Sequence, residues 1–82
     1  MIDLSNNVYV ARYDHEYGTD VRVFRTETGA YGWRTEIAVE WWENEFPDDP
    51  KPADDVIGET YFARTEESGS EWFSVEAVEL ES

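Results

Sequence analysis

Glu36, Glu40 and Glu43 recur at i, i+4 and i+7, the spacing that lines side chains along one ridge of an α-helix. A four-residue step along a helix rises about 6 Å, comparable to the spacing of phosphates along one strand of a nucleic acid. The acids continue into Glu45, Asp48 and Asp49, and a second group follows at Asp54, Asp55 and Glu59. Like charges at this spacing cost a helix a few tenths of a kcal/mol per pair, and Lys51 is the one cation among them. A solvated face ordinarily mixes both signs. The expected chemistry is recognition by charge: a rigid row of carboxylates offered to a basic surface.

Catalytic chemistry has little to work with. There is no cysteine, one histidine and one lysine, so pairs of nucleophile and base are scarce at neutral pH. Paired carboxylates abound, but a glycosidase needs a sugar cleft that 82 residues scarcely allow. No glycine-rich phosphate loop is present. The chain is expected not to be an enzyme and to need no cofactor.

Metal binding fares no better. His15 lies among Asp14, Glu16 and Asp20, which could form an imidazole–carboxylate site or simply a turn with an exposed histidine. An EF-hand is excluded there because Arg25 stands at the twelfth position. It is excluded over 48–59 because Pro50 and Pro52 replace two ligands. No metal is expected.

The charge is unevenly distributed. Twenty acids against six bases give −14. Residues 1–35 carry five acids and four arginines, net −1, whereas residues 36–82 carry fifteen acids against Lys51 and Arg64, net −13. Solubility alone asks for a net charge of about 2–8 in magnitude, and the excess works against compactness through self-repulsion. Asp3 and Asp14, in the near-neutral third, are expected to be bystanders to any partner.

The elements that must position these groups are legible in the hydrophobic pattern. Residues 8–15 alternate with period two, 16–20 carry turn chemistry with Gly18 free to take positive φ, and 21–25 are β-branched and aromatic, together a hairpin. Its core face is either Val8, Val10, Val21 and Val23 or Tyr9, Ala11 and Phe24. Thr26 or Thr28 can cap a helix whose stripe is Ala30, Trp33, Ile37 and Trp41, widened by Ala38 and Trp42 and ended near Phe46 by Pro47. Trp42 at the edge of that stripe, and Trp72 opposite Phe73 on a strand, either anchor an interface or finish a small core.

A stiff acidic loop, 48–52, leads to a second helix over roughly 52–64 with Ala53, Ile57 and Tyr61 as its stripe. Residues 65–70 form a polar turn, and a third strand runs over 71–80 with a β-bulge near Ala77. The fold expected is α+β, order ββααβ, one acidic domain over 1–82 with a three-stranded antiparallel sheet and two helices. Its core is Trp33, Ile37, Trp41, Phe24, Ile57, Phe73 and Val75. Thirteen aromatics supply the apolar area that disulfides cannot.

No apolar run reaches the roughly 20 residues of a membrane span, and residues 1–5 lack the features of a signal peptide. The expected compartment is the cytoplasm, that of the host if the chain is phage-encoded. A monomer is expected.

In its size, its charge density, and the acidic stretches 36–67 and 71–81, the chain resembles the small acidic phage-encoded inhibitors that mimic DNA, including many anti-CRISPR proteins. The resemblance implies binding to a basic nucleic-acid-binding protein or complex, such as the DNA channel or PAM-reading region of a type I Cascade effector. It implies no direct binding of nucleic acid, which lysines and arginines would have to provide. Two other uses of an acidic chain stand beside it. One is the domain of a halophile with a housekeeping role, which should acidify the hairpin too and should unfold in low salt. The other is an antitoxin-like subunit that masks a basic enzyme.

Overall fold

The computed structural model describes residues 7–79. Strand β1 (Asn7–His15) turns through Glu16 and Tyr17 into β2 (Gly18–Phe24), and Gly18 adopts φ 132°, where a side chain would be strained. Helices α1 (Glu27–Glu45) and α2 (Asp54–Ser68) follow, and β3 (Trp72–Glu79) closes the chain. The sheet is antiparallel in the order β2–β1–β3, an α+β fold in the expected ββααβ succession. No described helix is long and apolar enough to cross a membrane.

Register decides which face of the sheet is the core. Tyr9 pairs with Phe24 and Ala77, Ala11 with Arg22 and Val75, and Tyr13 with Asp20 and Phe73, so these residues share the face that meets the helices. The alternative set is on the other face: Val21, Val23 and Trp72 are exposed there, beside Val8 and Val10. The bulge expected near Ala77 does not form. Pairing runs regularly from Asn7↔Glu79 to Asp14↔Trp72, which leaves Val78 with Val8 on the open face, where a valine needs no core. Leu80 lies outside the described residues.

Helix α1 begins as its sequence dictates. Thr26 Oγ1 accepts a hydrogen bond from the Gly29 amide at 3.0 Å, and Phe46, just before Pro47, ends the helix with its amide on Trp42 O at 2.7 Å. Helix α2 is longer than expected. It starts after the cap Ala53 and runs through Thr65, which is buried, to Ser68, with Gly69 beyond it at φ 79°. Gly58 is a point of contact between the helices: a Cβ there would stand 3.0 Å from Arg34 Nε and 3.5 Å from Thr35 Oγ1. Its bareness lets the two helices approach.

The core holds Ala11, Tyr13, Trp33, Ile37, Ile57, Tyr61 and Phe62, with Phe24, Phe73 and Val75 packed against it. One pair is exchanged relative to expectation. Trp42 is buried, at 1 % exposure, and Trp41 is 42 % exposed. The reason lies in how α1 divides its apolar arc. Its first half sets Trp33 on Phe24 and Phe73, against the sheet, whereas its last turns set Trp42 on Phe46 and Tyr61, against α2. Trp42 Nε1 also donates to Asp49 O at 3.1 Å. Trp42 is therefore a core residue and not an interface anchor.

Candidate functional site

Glu36, Glu40 and Glu43 are all exposed on α1. Advancing about 100° per residue, they fall within roughly 60° of one another. The residues that face α2, namely Arg34, Thr35 and Trp42, fall on roughly the opposite side of the helix. The ridge thus points away from α2 and runs beside the Trp33–Ile37 face that meets the sheet.

The remaining acids divide by what they do for the fold. Asp49 Oδ2 accepts from Arg64 Nη1 at 2.6 Å, and that guanidinium lies 5.0 Å from the Trp42 ring and 4.9 Å from Phe46. With Trp42 bonded to its carbonyl, Asp49 pins the interhelical loop and has little left to offer a partner. Glu43 has Lys51 Nζ at 3.4 Å, an exposed pair of small energetic weight. Among the described residues, Glu36, Glu40, Asp48, Asp54, Asp55 and Glu59 form no ion pair. Asp54 and Asp55 occupy the first turn of α2, where the helix dipole favours them. They and Glu59 belong to the other helix, so the ridge and this second group form two patches rather than one row.

His15 and its acidic neighbours serve the hairpin. His15 Nε2 is 2.9 Å from Asp20 Oδ2, and Nδ1 accepts from the Tyr17 amide at 3.2 Å. Thr19 Oγ1 donates to Asp14 Oδ1. This bond, aided by the Arg12 guanidinium, holds the Asp14 carboxyl below its usual range. Asp14 is therefore tied into the turn, where changing it would disturb the hairpin; Asp3, its companion in that expectation, lies outside the described residues. Among the described residues no three His, Asp or Glu side chains converge as a metal would require.

No protein-family model, curated protein or solved structure matches this chain.

One feature of the interior has no sequence signal. Glu71 Oε1 accepts hydrogen bonds from both Tyr13 Oη, at 3.0 Å, and Tyr61 Oη, at 2.9 Å. The three residues come from β1, α2 and the approach to β3, and so join the sheet to α2. Burial first, and the Glu71 bond and charge second, push both phenols well above their ordinary value. Both are protonated in the folded and unfolded chain at neutral pH. Above about pH 10 the unfolded chain ionises them and the folded chain does not, so stability is full below that pH and falls above it. Thermal melting should be level through neutral pH and decline past about pH 10. Two of the five tyrosines should ionise only as the chain unfolds, a delay visible in phenolate absorbance. Ionisation of all five before unfolding would refute the Glu71 arrangement.

Proposed function

We propose that this chain is an inhibitor of the anti-CRISPR type, which binds the basic DNA-binding surface of a CRISPR effector such as type I Cascade and so excludes target DNA. The observation that carries the proposal is the ridge Glu36, Glu40 and Glu43, exposed on the face of α1 turned away from α2, with Lys51 its one ion-pair partner among the described residues. A groove that binds DNA gains its affinity by neutralising phosphates with lysine and arginine. Carboxylates on a helix can meet the same cations, and a net charge of −14 steers the approach. Glu45 and Asp48 flank the ridge, while Asp54, Asp55 and Glu59 offer a second point of attachment from α2.

The test is competition. A type I Cascade complex, mixed with the purified chain at low salt, should lose its target duplex, and raising the salt should restore duplex binding as the inhibitor dissociates. The chain alone should not retard duplex DNA in a gel. Retardation of free DNA, or an effector that keeps its target under excess inhibitor, would sink the proposal. Melting in the same buffers separates a halophile domain, which unfolds as salt is withdrawn, from a mimic that stays folded.

A further inference from the structure

Trp41 marks a second site beside the ridge. The end of the β1–β2 hairpin and the C-terminal half of α1 enclose an open cleft of about 440 Å³, a volume suited to a side chain or small ligand. Trp33 and Trp41 wall it, and Tyr17, 88 % exposed, stands at its rim. A tryptophan left 42 % exposed on the same helical arc as Trp33 and Ile37 has an apolar face that no element of the described fold covers.

The cleft is anionic as well as aromatic. Glu40, Glu45 and Glu71 line it from the helix and the approach to β3, and Glu16 and Asp20 from the hairpin. Against them stand Arg22 and His15, the latter engaged with Asp20. Glu71 has its Oε1 fixed by two tyrosine hydroxyls, while its Oε2 makes no hydrogen bond among the described residues. Arg22 already illustrates what the walls accept: its guanidinium lies 4.6 Å from the centroid of the Trp33 ring. Trp41 offers a comparable aromatic face in the same cleft. An aromatic face beside carboxylates is the environment that holds a planar cation, and guanidinium is the side-chain cation best suited to it.

We propose that this cleft receives one arginine side chain of the partner, stacked on Trp41 and hydrogen-bonded to the carboxylates of Glu40, Glu45 and Glu71. The inference rests on the proposed function for the identity of the partner, and on the cleft alone for the chemistry. Glu40 belongs to both sites, so the arginine would enter at the edge of the ridge. The ridge would then set the approach by charge, and the cleft would fix the register by inserting one side chain.

The probe is a blocked Gly-Arg-Gly tripeptide, titrated into isotopically labelled protein and followed by amide and indole resonances. The same tripeptide with citrulline, which keeps the shape and loses the charge, is the control. The arginine peptide should move the Trp41 indole and the amides of 15–17 and 40–45, and the citrulline peptide should not. Trp41→Ala should weaken the peptide about five-fold or more, and Glu45→Gln, which leaves the aromatic wall intact, should weaken it several-fold. Equal shifts from citrulline, shifts spread over every acidic patch, or unchanged affinity in both variants would overturn the proposal. If Trp41→Ala still competes with DNA like wild type, the cleft is dismissed and the ridge stands. If the arginine peptide binds as expected but no DNA-binding effector is displaced, the cleft stands and the inhibitor reading falls.

Discussion

Trp42→Ala is expected to leave little folded protein at room temperature, whereas Trp41→Ala, one position earlier, should melt close to wild type. Truncating a buried aromatic to alanine costs about 3–5 kcal/mol. A domain of this length has a total stability on the order of 4–12 kcal/mol, and small domains fall toward the lower end. Trp42 carries more than its area. It packs on Phe46 and Tyr61, donates to Asp49 O, and lies under the Arg64 guanidinium that Asp49 holds. Removing it frees the interhelical loop and opens the seam between α1 and α2 at once. Trp42→Phe, which keeps an apolar ring but not the indole N–H, should cost about 1–2 kcal/mol. Urea unfolding followed by circular dichroism measures all three variants. A wild-type midpoint for Trp42→Ala, or collapse of Trp41→Ala in its place, would show that the division of the α1 arc is wrong.

That pair of residues also shows where sequence patterning stops. Both tryptophans lie within the apolar arc of α1, and a period of 3.6 cannot choose between neighbours at the border of the arc. The choice is made by α2, whose position depends on Gly58 admitting the side chains of Arg34 and Thr35. Signals that are local were legible. Thr26 caps and Phe46 stops α1 because their neighbours in sequence demand it, and Val–Tyr alternation marked the hairpin without the fold. The core face of that hairpin was not legible, since valines on one side and aromatics on the other are both apolar. Packing decided it, because Tyr9, Ala11 and Tyr13 are complemented by Phe24, Val75 and Phe73. The bulge near Ala77 failed for a related reason: it assumed that every valine of β3 needs a core, and the open sheet face accepts Val78. Glu71 was invisible because one of its partners is 58 residues away. The acidic ridge was legible because it depends only on helical spacing and charge. Asp49 is the exception, since its pairing with Arg64 across fifteen residues diverts it to the fold.

The ridge makes the second large prediction. The variant Glu36→Gln, Glu40→Gln, Glu43→Gln should fold as well as wild type and bind its partner far less tightly. All three side chains are exposed, and relief of like-charge repulsion along the helix adds a little stability. The variant does break the ion pair of Glu43 with Lys51. At 3.4 Å, with the Glu43 side chain 79 % exposed, a pair so open contributes little. Binding responds differently, because a carboxylate desolvated against a lysine or arginine at an interface can be worth a few kcal/mol, while one at the rim is worth almost nothing. Three such substitutions should weaken competition with target DNA by about a hundred-fold or more if the ridge is central to the interface. Net charge falls from −14 to −11 in this variant, so overall charge must be separated from position. The control carries the same change elsewhere: Glu66→Gln, Glu67→Gln, Glu76→Gln, exposed on α2 and on the open sheet face. Asp14 would have been the wrong control, since Thr19 and Arg12 hold it in the turn. If position matters, the ridge variant loses inhibition and the control keeps it, with both melting like wild type. If both lose affinity equally, the chain acts as a diffuse polyanion. If the ridge variant inhibits fully, Glu36, Glu40 and Glu43 are a solvated face and nothing more.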